Sequence, residues 1–235
     1  MKLYNILFLN ESQIFASQAY KKGFVIIAID ATDDGLNKTG FILLNKNRIK
    51  DENGKLKAED KGEGIVYGSL DIVEGSDSGF MQTTSADAIH GYGPLLYQTA
   101  MYYIEPNWLE SHESLTDSSY DVWNKMYELS EKGVYIRKYI GNNEYRHECA
   151  NVLHSSPSEE EAATEESFLA FLTSEKIKPE KVGCYWAYKK TSHEPEIAVM
   201  LKEGKELAES IGEITKQDPK VILFNWMRTA NLGNK

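Results

Sequence analysis

The residues best placed to do chemistry lie in the short segment HGYGP, from His90 to Pro94, which opens an apolar run. Gly91 and Gly93 permit positive φ and let the backbone approach a ligand closely. Pro94 suits the first position of a helix, and the free amides of a helix start favour an anion. The segment therefore predicts a tight helix entry that can hold a phosphate, although a plain strand-to-helix connection needs the same residues.

Known phosphate-binding motifs do not decide between these two interpretations. The dinucleotide pattern G-x-G-x-x-G is not met, because residue 96 is leucine, and the P-loop pattern is absent. His90 is the most prominent candidate for acid–base chemistry, since it is the histidine beside the turn.

Strands and helices on both sides must position this turn. Apolar runs rich in β-branched residues predict strands; these lie at 3–9, 24–30, 40–45, 64–75, 134–141, 181–190 and 220–227, with 79–86 as a further strand or an extended loop. Amphipathic spacing predicts helices; these cover 12–23, 94–103, 114–133, 158–173 and 197–214. The pair Asn53-Gly54 predicts an exposed turn. The order favours an α+β fold of mixed α/β layers, with helices packed on a mostly antiparallel central sheet.

The chain has 235 residues, of which 41% are hydrophobic, and this is enough for a sizeable core. We expect a single domain over residues 1–235, with an exposed acidic segment around 151–166. Ser158 and Glu161 in that segment fit a capping box, which predicts a helix start there.

Charge and cysteine content limit the partners and the compartment. A formal net charge of −10 disfavours binding to a phosphate backbone, so no nucleic acid is expected. No run approaches the ~20 apolar residues of a membrane helix, and the N-terminus reads as a strand rather than a signal peptide. Cys149 and Cys184 fit neither a disulfide scaffold nor a metal-ligand spacing, so two reduced thiols in a cytoplasmic protein are predicted, with no metal.

The strand GIVYGSLDIV (64–73), the HGYG turn (90–93) and the helix after it resemble the acyl-CoA-binding motif of the GNAT N-acyltransferase superfamily. In that family the turn reads Gln/Arg-x-x-Gly-x-Gly/Ala, and its amides bind the pyrophosphate of CoA. Gly91 and Gly93 match the two small positions, while Ala88 stands at the Gln/Arg position. The resemblance implies a GNAT-like fold, with acyl-CoA or acetyl-CoA bound by the residues from His90 to Gly93.

The same resemblance implies direct acyl transfer from the thioester to an amine of a small molecule or a protein. The amine must lose a proton and the departing thiolate must gain one. Asp71 or Glu74, on the strand before the turn, is then the candidate base, His90 the second titratable group, and Tyr185 or Tyr188 the candidate acid. Cys184 is a weak candidate nucleophile, because it has no local histidine partner.

A second, looser resemblance is to the GNAT-like proteins encoded by tailed bacteriophages. The matching segments are HGYGPLLYQTAM (90–101), SSYDVW (118–123) and YWAYKK (185–190). Some such proteins are called acyltransferases and others virion proteins, so two alternatives stay open. One is a virion component that keeps the fold without catalysis and contacts other virion proteins, which Ala88 and Pro94 favour. The other is a non-catalytic nucleotide- or CoA-binding module. The expected location is the host cytoplasm, or the virion for a structural protein.

Overall fold

A computed structural model describes residues 14–33, 36–49, 62, 64–75, 79–111, 117–141, 153, 155–230 and 232. The predicted strand at 3–9 and the predicted Asn53-Gly54 turn lie outside these ranges. Within them, the strands are β1 (Phe24–Asp33), β2 (Leu36–Asn45), β3 (Val66–Glu74), β4 (Met81–Ala88), β5 (Leu109–Glu110), β6 (Tyr135–Tyr139) and β7 (Trp186–Lys190). The α-helices are α1 (Ala16–Lys21), α2 (Gly93–Tyr103), α3 (Asp117–Ser130), α4 (Glu159–Ala162), α5 (Glu165–Ser174), α6 (Pro195–Thr215) and α7 (Pro219–Thr229).

The strands are hydrogen-bonded in the order β1-β2-β3-β4-β5-β7-β6. β1 and β2 form a long antiparallel hairpin, and β7 pairs antiparallel with both β5 and β6. β4 and β5 are parallel, and α2 lies between them in the chain. A mixed fold with a mostly antiparallel sheet and flanking helices is therefore confirmed.

The described residues divide into two compact units. The first contains the described residues up to Ile72, Ser85–Ala100 and those from His193 onward, and the second contains Val73–Thr84 and Met101–Ser192. β3 and β4 contribute residues to both units.

The core of the first unit forms where α6 and α7 pack on the β1–β2 hairpin. Its buried members are aliphatic apart from one tryptophan; they include Val25, Ile27, Ile42, Leu44, Ile211, Ile222, Leu223 and Trp226. A Cβ added to Gly204 of α6 would lie 2.0 Å from the carbonyl oxygen of Ile26 in β1. The helix can approach the strand this closely because position 204 carries no side chain.

The core of the second unit is aromatic. The ring centroids of Tyr127 and Trp186 lie 4.7 Å apart. The Arg137 guanidinium lies 4.4 Å from the centroid of Tyr127, and its Nε lies 3.3 Å from a carboxylate oxygen of Glu165. The indole nitrogen of Trp186 donates to that same oxygen at 3.0 Å. The network joins β6, β7, α3 and α5 around one arginine.

Two predicted strands are wrong in whole or in part. Residues 220–227 lie in α7, which begins after an N-cap at Asp218, whose side chain accepts from the amide of Lys220 at 2.9 Å. Residues 181–185 belong to a 3-10 helix, Pro179–Tyr185, and only Trp186–Lys190 forms a strand.

The acidic segment forms two short helices, α4 and α5, in place of the one helix predicted over 158–173. The predicted capping box is confirmed. The Ser158 side chain accepts from the amide of Glu161, and the Glu161 side chain accepts from the amide of Ser158. A second cap at Thr164 starts the second helix.

The prediction of reduced cysteines is wrong for Cys184. This residue is buried and disulfide-bonded, and the other cysteine of the chain, Cys149, lies outside the described residues. Residue spacing predicts a bridge poorly, because a disulfide requires two Cα atoms about 5.5 Å apart, which tertiary structure alone determines.

Candidate functional site

The HGYG segment forms a tight turn between β4 and α2. The amide of Ile89 donates to the carbonyl of Tyr67 in β3 at 2.9 Å, and the amide of Tyr92 donates to the carbonyl of Ile89 at 3.0 Å. Residues 89–92 therefore form a hydrogen-bonded β-turn. Gly91 is the third residue of this turn and has φ +90°. A positive φ at that position strongly favours glycine.

The backbone of the turn is partly committed to internal hydrogen bonds. The Tyr92 amide is engaged with Ile89, so it does not offer its hydrogen to an anion. The carbonyl of Gly91 accepts from the amide of Ile14 at 3.0 Å, which holds the turn from the other side. At Gly93, the first residue of α2, an added Cβ would meet no atom within 4 Å. The turn is thus open at Gly93.

The Tyr92 side chain anchors the turn instead of facing solvent. It is 7% exposed, and its ring centroid lies 5.1 Å from that of Phe24 and 5.3 Å from that of Tyr67. Burial raises the pKa of the Tyr92 phenol above its ordinary value. Of the four residues predicted to bind a cofactor, Tyr92 is the one whose side chain packs against β1 and β3.

The predicted acid–base residues of the first unit do not come together. His90 is exposed in the turn. Asp71 is half-buried on β3, where its carboxylate accepts from the Ser85 hydroxyl at 3.0 Å and lies 3.9 Å from the ammonium of Lys38. The amide of Ile89, next to His90, is bonded to the carbonyl of Tyr67, and Asp71 lies four residues further along β3, about 13 Å away at 3.3 Å per residue. Asp71 and His90 therefore cannot share one proton.

The tyrosines that the sequence offers as acids lie in the second unit and are buried. Tyr185 has no exposed surface, and its ring stacks on Phe168 at 4.6 Å between centroids. The Tyr188 hydroxyl donates to the carbonyl of Gly183 at 2.7 Å, and burial raises its pKa well above the usual value. The role of Tyr185 stays a prediction.

A groove in the first unit was not foreseen from the sequence. Its volume is about 450 Å³, and polar and apolar side chains line it. The lining residues are Ser69, Asp87, Phe224, Asn225, Met227, Arg228 and Leu232. Alternation of polar and buried residues along β3 was the available signal for Ser69. The α7 residues could not be placed, because their segment was predicted as a strand.

Metal-ligand clusters and membrane-spanning helices are both absent from the described residues. In the described ranges, no cluster of three or more His, Cys, Asp or Glu side chains is arranged to hold a metal ion. None of the helices in the same ranges is both long and apolar enough to cross a membrane.

Comparison with known proteins finds no family model, no curated protein and no solved structure that matches the chain.

Proposed function

We propose that this chain is an acyl-CoA-dependent N-acyltransferase of the GNAT type, in which the turn from His90 to Gly93 receives the pyrophosphate of CoA. The observation that carries the proposal is the connection β4–turn–α2–β5, in which the two strands are parallel. In such strand–helix–strand units, ligands bind beyond the carboxyl end of the first strand, at the helix N-terminus. The glycine turn occupies that position.

The turn supplies some, but not all, of its backbone amides for hydrogen bonds to an anion. Gly93 leaves open space, and positive φ at Gly91 turns the backbone sharply into α2. The amide of Tyr92 is already engaged. The proposal therefore assigns pyrophosphate binding to the backbone at Gly91 and Gly93, with Tyr92 as the anchor that holds the turn in place.

The reaction joins an acyl group to an amine. The amine nitrogen attacks the thioester carbonyl, the carbon–sulfur bond breaks, the amine loses a proton, and the thiolate of CoA gains one. His90 is the side chain proposed to carry a proton, because it is exposed and adjoins the turn. The roles predicted for Asp71 and Tyr185 from the sequence stay predictions and are not part of this proposal. The acceptor is an amine of a small molecule or a protein.

Release of the CoA thiol from acetyl-CoA, followed with a thiol-reactive dye in the presence of a panel of amines, tests this function. The wild type should release thiol only when an amine is present. His90→Gln should lower the rate by about 10²-fold, the lower range for one acid–base group. Lys205→Gln, at an exposed side chain of α6 outside the turn, is the control that keeps the rate. Equal thiol release with and without every amine contradicts the proposal.

A second function is favoured by exposed apolar side chains on α6 and α7. Ile214, Val221 and Phe224 are 55%, 53% and 59% exposed. Such side chains suit a protein that contacts other proteins, as a virion component without catalysis does. Quantitative mass spectrometry of purified virions tests this alternative. A fixed copy number per particle supports it, and absence from the particles contradicts it.

A further inference from the structure

The groove of about 450 Å³ in the first unit has walls of opposite charge. One wall is the sheet, with Ser69 of β3 and Asp87 of β4, which lie two residues from the backbone hydrogen bond between Tyr67 and Ile89. The other wall is α7, which contributes Phe224, Asn225 and Arg228. Arg228 lies four residues after Phe224 and three after Asn225, so both are its neighbours on the surface of the helix.

The two charged side chains of the groove are available to a ligand. Asp87 and Arg228 are both exposed. Among the residues that the structure describes, neither makes an ion pair or a side-chain hydrogen bond, with each other or with a third group. By contrast, the ammonium of Lys38 on β2 lies 3.9 Å from the carboxylate of Asp71 on β3.

The apolar part of the groove lies beside these charges. Phe224 is 59% exposed although it is a large aromatic residue, and Leu232, which is 8% exposed, also lines the groove. Met227 adds a flexible, polarisable side chain, which adapts to varied apolar shapes. A volume of about 450 Å³ lies in the range that holds small organic ligands.

We propose that this groove binds a small zwitterion with an apolar side chain, either a free amino acid or a dipeptide. The ligand's ammonium group lies against the Asp87 carboxylate and the Ser69 hydroxyl. Its carboxylate meets the planar guanidinium of Arg228, which matches a carboxylate with two parallel hydrogen bonds. Its apolar side chain packs on Phe224, Met227 and Leu232. This site is independent of acyl transfer.

Titration calorimetry with L-phenylalanine and with L-leucyl-L-phenylalanine tests the proposal on the full chain. Each ligand is compared with its N-acetyl and its C-amide form. We expect a zwitterion to bind with a submillimolar Kd. Each blocking group should weaken binding about tenfold, because it removes one charge-assisted hydrogen bond. The ligand that binds more tightly identifies the source as an amino acid or a peptide.

Variants separate the two charged contacts. Arg228→Gln should weaken binding of the zwitterion about tenfold and leave binding of the C-amide form unchanged. Asp87→Asn should also weaken binding of the zwitterion about tenfold, and it should leave binding of the N-acetyl form unchanged. Lys205→Gln, an exposed cation of α6 outside the groove, is the control and should change nothing. No binding at about 10 mM of either ligand, or equal binding of free and blocked forms, would overturn the proposal.

Discussion

Tyr92 holds the turn before α2 through its aromatic ring. Its place between Gly91 and Gly93 predicts a residue that binds a ligand, whereas its ring is packed against Phe24 and Tyr67. Those partners lie 68 and 25 residues away in the sequence, so no local pattern indicates the contact. The glycines were predictable, because a positive φ and a close approach are local requirements. The buried tyrosine was not.

Tyr188 gives a prediction about a buried hydroxyl. Tyr188→Phe removes the donor to the Gly183 carbonyl and leaves that buried oxygen without this bond. We expect the free energy of unfolding to fall by about 1–3 kcal/mol, measured by urea denaturation. Tyr103→Phe, at a side chain 40% exposed, is the control and should stay within about 0.5 kcal/mol of the wild type. A Tyr188→Phe loss no larger than that of the control contradicts this account.

Tyr127 predicts how stability depends on alkaline pH. Burial raises its pKa to about 12, and the neighbouring Arg137 opposes that rise only in part. The folded pKa lies above the unfolded value of about 10, so the contribution of the neutral phenol to stability is complete below pH 10 and is lost as pH rises toward 12.

Tyr127→Phe removes this titration and keeps the ring under Arg137. The variant should therefore lose stability less steeply than the wild type between about pH 10 and 12, by up to about 3 kcal/mol in total. Urea denaturation at a series of pH values measures the two slopes. Parallel curves for the two proteins would show that the phenol titrates normally in the folded chain.

At the scale of elements, α7 is the clearest difference from the sequence prediction. The run KVILFNWM indicated a strand because nearly every residue in it is apolar. The structure buries Ile222, Leu223 and Trp226 at helical spacing and leaves Val221 and Phe224 exposed. Exposed apolar residues hide the helical period, since periodicity can be read only when the outer face is polar. β1, β2 and α6 were predictable, because their patterns are regular.

α6 and β1 give a prediction about element packing. Gly204→Ala places a Cβ 2.0 Å from the carbonyl oxygen of Ile26, so the helix must move away from the strand. Alanine gains up to about 1 kcal/mol in helix propensity. Overpacking costs about 1–3 kcal/mol, so we expect net destabilisation in thermal unfolding. Lys205→Ala, one residue further on, is the matched exposed control. A stabilised Gly204→Ala variant would show that the helix has room to shift.

For the whole molecule, the fold class followed from the sequence and the strand order did not. Hairpins such as β1–β2 are local, so alternating patterns and turns predict them. The arrangement β5-β7-β6 depends on pairing between strands that are far apart in the chain. Composition and spacing do not encode such pairings. The groove between β3, β4 and α7 was missed for the same reason, since its walls come from distant segments.

The central claim is that the turn before α2 binds acyl-CoA, and titration calorimetry with acetyl-CoA tests it most directly. Gly93 is the position to substitute in this experiment. A Cβ added there would meet no atom within 4 Å, so a new side chain leaves the packed core untouched. The account predicts binding to the wild type and to Gly93→Ala, with an affinity at least about tenfold weaker for Gly93→Trp, whose indole covers the turn. No heat of binding at about 1 mM acetyl-CoA, or equal affinity for all three proteins, would contradict it.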